Sequence, residues 1–166
     1  NSNTRISVMY DYVNNSNLID TLPNRDETGI DLIRIGIKYC IFSIDYLKVI
    51  NFINRLKDKG YIVSLNMIYS SVLTVEHIIN CKEKIQNVDL DYFYFADSIG
   101  ALVPHDLDFF IKYIKDIYPI KIGFHNHNNY GTVFGNVMHL ISTNIDIIDA
   151  TIGGYGKNCG NACLEQ

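Results

Sequence analysis

The chain holds 166 residues, 48% of them hydrophobic and 19% charged, with a formal net charge of −4. That is enough apolar material for one ordinary core, and mild acidity without a basic block excludes a phosphate-backbone binder, so nucleic acid is not an expected partner. No apolar run approaches the roughly 18 residues that span a bilayer and no basic-then-apolar leader is visible, so no membrane association is expected.

An apolar, Ile/Val/Tyr-rich run at residues 6–12 reads as the first strand. A weak helical segment at 21–28 leads to a second strand at 32–39. A helix at 45–59 follows, with Leu47, Ile50, Ile53 and Leu56 at helical spacing and Gly60 as its stop. The third strand is 61–68, followed by a helix at 74–87 carrying Val75, Ile78, Ile79 and Ile85. The fourth strand, 92–96, precedes a helix at 104–118 that ends before Pro119. The fifth strand, 120–127, precedes a helix at 131–143, and the sixth strand is 145–152.

Strand and helix alternate with the beat of a βα unit, which predicts an α/β fold of parallel strands with right-handed crossovers. An open doubly wound sheet and a closed (β/α)8 barrel both fit. The open sheet usually carries a G-x-G-x-x-G loop after its first strand, and Asp11-Tyr12-Val13-Asn14-Asn15-Ser16 is not one. Polar residues gather instead at the C-terminal ends of several strands, the rim where barrels place their chemistry. Six strands are legible where a barrel needs eight. Either two strands are cryptic, or residues 1–166 are a single partial barrel domain of a longer enzyme.

The end of the fifth strand reads His125-Asn126-His127. Side chains alternate along a strand, so the two imidazoles share a face, with Cα atoms about 7 Å apart. Two such imidazoles can share one divalent metal ion, or can simply be solvated histidines. His77 and His139 fall in helical segments and read as surface or packing residues, and His105 as a polar helix start. Cys40, Cys81, Cys159 and Cys163 form no C-x-x-C pair, which fits a reducing, cytoplasmic setting. Cys40 follows the second strand and could line the barrel mouth, but reads better as a buried, inert thiol.

Three motifs occur in order: Ala96-Asp97-Ser98-Ile99-Gly100, His125-Asn126-His127-Asn128-Asn129-Tyr130-Gly131, and the run from Asp149-Ala150-Thr151 through Gly160-Asn161. Together they resemble the metal-dependent aldolases and lyases that share the hydroxymethylglutaryl-CoA lyase fold, the HMGL-like family. Within it the chain is most similar to the 4-hydroxy-2-oxovalerate aldolase branch. The resemblance covers nearly the whole chain, from about the third to the eighth strand of a (β/α)8 TIM barrel.

It implies a divalent cation, Mn²⁺ or Mg²⁺, with His125 and His127 as ligands and Asn161 as a third ligand by analogy with the lyases. It implies a 2-oxo acid substrate contacted by Ser98, with Asp97 positional. Asn129 stands where the condensing synthases have aspartate; it is a candidate substrate contact and also a candidate loop clasp. The family's first-strand Arg-Asp motif is absent. Arg25-Asp26 is not a substitute, because it precedes a strand and so lies at the wrong end of a βα unit. Cys159 does not directly follow the Gly153-Gly154 pair, so it is not read as a nucleophile.

The implied reaction is cleavage of a 4-hydroxy-2-oxo acid to pyruvate and an aldehyde. The competing readings are an acyl-CoA condensing synthase on the same fold and an inactive barrel segment. A homo-oligomer or an aldehyde dehydrogenase partner would be in keeping with the family.

Overall fold

The computed structural model describes residues 4–12, 18–114, 120–143 and 145–166. Six parallel strands form one sheet in strict chain order: β1 (Ser7–Asp11), β2 (Leu32–Lys38), β3 (Ile62–Ile68), β4 (Tyr92–Asp97), β5 (Lys121–Asn126) and β6 (Ile147–Ile148). Helices α1 (Leu18–Thr21), α2 (Tyr39–Asp58), α3 (Val75–Ile85), α4 (Pro104–Ile114) and α5 (Val133–Ser142) lie in the connections. Each strand pairs with the next, with no reversal of order. A doubly wound sheet requires such a reversal; a (β/α)8 barrel does not. The fold is therefore an arc of that barrel.

Alternation along the strands sorts side chains onto two faces. Ile33, Ile35, Ile37, Val63, Leu65, Met67, Phe93, Phe95 and Phe124 join one buried cluster with Val49, Phe52, Ile53 and Leu56 of α2, Ile78 and Ile85 of α3, and Phe110 of α4. The intervening residues are chemically different. Arg34, Gly36, Ser64, Asn66, Tyr94, Gly123 and His125 occupy the other face, which in a barrel is the inner one.

Several boundaries differ from the sequence reading. The expected helix at 21–28 is a single turn of α1 followed by a 3-10 turn at Arg25–Glu27, since Pro23 separates them. The 3-10 turn is closed by a capping box in which the Asn24 N–H donates to Glu27 Oε2 at 2.8 Å. α2 begins at Tyr39, and the predicted start at Asp45 coincides with a kink where φ is −103° and ψ is 20°. Its end is as expected: Gly60, at φ +84°, turns the chain toward β3. The sixth strand is only two residues long, because the chain beyond it turns through bridges and a 3-10 turn. The expected end of α4, at 115–118, lies outside the described residues. Cys40 is exposed on the first turn of α2, not buried, because that turn follows the end of β2 and opens onto a cavity lined by Tyr39, Tyr69 and Leu73. Among the described residues, no helix is long and apolar enough to cross a membrane.

Candidate functional site

The chemistry-bearing residues meet at the C-terminal ends of the strands. His125 closes the inner face of β5, and His127 follows it on the same side. Their rings lie 5.0 Å apart at 80° to one another. The segment 153–161 folds back so that Asn161 forms an antiparallel bridge with His127, secured by Asn161 N–H donating to the Gly154 carbonyl at 2.9 Å. Gly156 makes room for the Asn161 amide, since a Cβ there would lie 2.5 Å from its nitrogen and carbon.

Two atoms in this cluster are left without partners. His127 Nδ1 and Asn161 Oδ1 are both buried side-chain acceptors or donors with no hydrogen bond among the described residues. A buried polar atom without a partner is costly, and one that faces a metal is satisfied. The donor set, two imidazoles and an amide oxygen, fits a divalent cation of the Mn²⁺ or Mg²⁺ kind. Among the described residues, no three His, Cys, Asp or Glu side chains gather to hold a metal. The carboxylate expected from a first-strand Arg-Asp motif is accordingly not supplied here.

Below the histidines runs a polar network that the sequence reading did not assign. Asp149 Oδ2 receives Arg34 Nη2 at 2.6 Å and lies 2.9 Å from His125 Nδ1. Asn66 offers its carbonyl oxygen to Arg34 Nη2 at 2.8 Å and its amide nitrogen to Ser64 Oγ at 2.6 Å. The Arg34 guanidinium lies over the Tyr94 ring, 4.3 Å from its centre. Tyr94 has space only because residue 123 is glycine: a Cβ there would come within 2.4 Å of the ring. A cavity of about 430 Å³ opens beside Arg34, His125, Asp149, Thr151 and Leu164, large enough for a small organic acid.

Burial and the neighbouring His125 push the His127 imidazole below its ordinary value. Burial alone would push the Asp149 carboxyl up, but hydrogen bonds from His125 and Arg34 outweigh it and hold it below the usual carboxylate range. Burial, reinforced by the Asp149 charge, pushes the Tyr94 hydroxyl up. The linkage is the same in sign for His127 and Asp149. Each has a lower folded value than unfolded, so each contributes stability that is complete above its unfolded value and lost as pH falls through its folded one. Thermal unfolding followed by circular dichroism is expected to show stability falling in two steps, the first just below the ordinary histidine range and the second below the carboxylate range. His127→Gln should remove the first step alone.

The other sequence-identified residues are placed as follows. Asp97 is fully buried, and its two oxygens accept from Gly100 N–H at 2.9 Å and Leu102 N–H at 2.8 Å, which shapes the loop after β4. Ser98 Oγ accepts from Tyr69 N–H at 3.1 Å, so its own hydrogen remains to be donated. Asn129 spends both ends of its amide on backbone, donating to the Ile99 carbonyl at 2.6 Å and accepting from Cys159 N–H at 3.2 Å. That geometry makes it the clasp between three loops. His77 helps cap α3 and stacks on Tyr39, and His139 pairs with Asp108 at 2.7 Å. Arg25 and Asp31 form an ion pair at the opposite end of the sheet, beside a larger cavity of about 690 Å³. Its lining, drawn from residues 24–31 and 58–60, includes none of the histidines, so size does not decide the site.

The HMGL-like family model matches residues 43–166. The chain is 30% identical to 4-hydroxy-2-oxovalerate aldolase of Thermus thermophilus over 140 residues, covering 84% of this chain and 39% of that protein. It is 24% identical to oxaloacetate decarboxylase of Mycobacterium tuberculosis over 136 residues, covering 82% of this chain and 39% of that one. The chain thus spans about two fifths of the length of these curated relatives. The fold superposes on HMG-CoA lyase from Brucella melitensis with a TM-score of 0.77 and 16% identity, over 96% of this chain and 62% of that one.

Proposed function

We propose, because the chain belongs to the HMGL-like family, that it carries the metal-binding half of an aldolase site that cleaves a 4-hydroxy-2-oxo acid into pyruvate and an aldehyde. The observation that carries this reading is the pair of unpartnered buried atoms, His127 Nδ1 and Asn161 Oδ1, beside His125 at the barrel rim. His125, His127 and Asn161 would hold the divalent cation. When bound, such a cation supplies positive charge that stabilises the negative charge a keto oxygen gains as the C–C bond breaks.

Other residues of the chain would hold the substrate and the loops around it. Ser98, its oxygen already held by Tyr69 N–H, has its hydroxyl hydrogen free to donate to the substrate carboxylate. Asn129 acts on the site by holding together the loops that carry Ser98, His127 and Cys159. The Arg34–Asp149 pair adds no net charge beside His125. Oxaloacetate decarboxylation, the reaction named for the Mycobacterium relative, is the second reading, because the same rim would serve any 2-oxo acid that loses a β-carbon group.

The test is pyruvate release from 4-hydroxy-2-oxo acids and from oxaloacetate, and release of free CoA when a 2-oxo acid is offered with an acyl-CoA, each with Mn²⁺ and with chelator. Metal-dependent release from the 4-hydroxy-2-oxo acid in preference to oxaloacetate is expected. Preference for oxaloacetate would establish the second reading, and CoA-dependent condensation would overturn both.

A further inference from the structure

We propose that Asp149 is a positioning residue that fixes His125 in a single tautomer, with the proton on Nδ1 and the lone pair on Nε2. The inference rests on the metal reading of the rim, and it assigns the atom through which His125 ligates. Asp149 Oδ2 lies 2.9 Å from His125 Nδ1 and 2.6 Å from Arg34 Nη2. A carboxylate paired with a guanidinium is acceptor-only. The ring nitrogen facing it must therefore be the donor, because a lone pair there would face a lone pair. A neutral imidazole carries one N–H, so Nε2 is left as the free acceptor.

The rest of the network serves this one contact. The main chain that carries Asp149 is pinned beside His125, because its backbone N–H donates to the Phe124 carbonyl at 3.0 Å, one residue before His125. Arg34 is held from below by Asn66 and from the side by the Tyr94 ring. Asp149 and Arg34 are both mostly buried, with side chains 18% and 17% exposed, so water competes little for the carboxylate. Gly123 admits the Tyr94 ring. Five residues from five strands or their ends thus converge on the orientation of one imidazole. A carboxylate behind a ligating histidine raises its basicity and fixes its ring plane, and losing such a partner typically costs 10–100-fold in metal affinity.

The test reads the tautomer directly, in metal-free protein, from the imidazole nitrogen resonances of His125 in ¹⁵N-histidine-labelled protein. Wild type should show protonated Nδ1 and unprotonated Nε2. Asp149→Ala should lose that signature at His125, leave the His127 resonances in place, and weaken Mn²⁺ binding about 10–100-fold. Asp149→Asn keeps an oxygen that can accept from Nδ1–H, so it should retain the tautomer and lose less affinity. Because Asp149→Ala strands the guanidinium, the double change Arg34→Met, Asp149→Leu is a second probe that leaves no unpaired charge. It should lose the tautomer as Asp149→Ala does.

Wild-type protein with the proton on Nε2 would overturn the proposal. So would a tautomer and Mn²⁺ affinity within twofold of wild type in both variants. Failure of the metal reading is separately visible: wild type would then show the expected tautomer but bind no Mn²⁺.

Discussion

The double change His125→Ala, His127→Ala is expected to abolish Mn²⁺ binding, lowering affinity by more than about 100-fold, the upper range for loss of a mere supporting partner. The two rings sit 5.0 Å apart on one face, and with Asn161 Oδ1 they are the donors the rim offers. Calorimetric titration of the variant against wild type measures the loss. The fold should survive. His125 and His127 are only partly buried, and the core that holds the arc together lies on the other face of the sheet. An affinity retained within threefold would remove both residues from the ligand set.

Gly123→Ala is expected to destabilise the protein by about 3 kcal/mol, the upper part of the range for overpacking a filled interior. The added methyl would lie 2.4–2.6 Å from three atoms of the Tyr94 ring. That ring cannot retreat easily, because Arg34 lies over it at 4.3 Å. Thermal unfolding checks this, at roughly 2–4 °C for each kcal/mol in a domain of this size. The pair Gly123→Ala, Tyr94→Leu should recover most of the loss, since the clash needs both partners. Wild-type stability in Gly123→Ala would show that the inner face is loosely packed.

The strand–helix alternation was legible because buried strands and amphipathic helices carry strong local patterns. The sheet order follows from chirality and chain order once the elements are known. His125 and His127 could be named as candidate ligands because their spacing places both on one face of a strand, and Asn161 because it ends a recognisable motif. Arg34 and Asp149 were not assigned, since their ion pair joins residues 115 apart in sequence and no local period encodes it. A signal was nonetheless present. Arg34 interrupts the apolar run Leu32–Lys38 at a position whose alternation points away from the isoleucines. A charge on that face of a buried strand requires a partner across the sheet. Gly123 carried a similar signal, a missing side chain in the middle of a strand, which marks close approach by a neighbour. Element ends were legible only to within several residues. The kink at Asp45 imitates a helix start, and the last strand is shortened by the turn that delivers Asn161 to His127.

The most direct test of the metal site is anomalous diffraction at the Mn edge from crystals grown with Mn²⁺. One peak is expected at the barrel rim, about 2.0–2.3 Å from His125 Nε2, from a His127 ring nitrogen and from Asn161 Oδ1. A peak elsewhere on the protein, or none at these three side chains, would contradict the assignment.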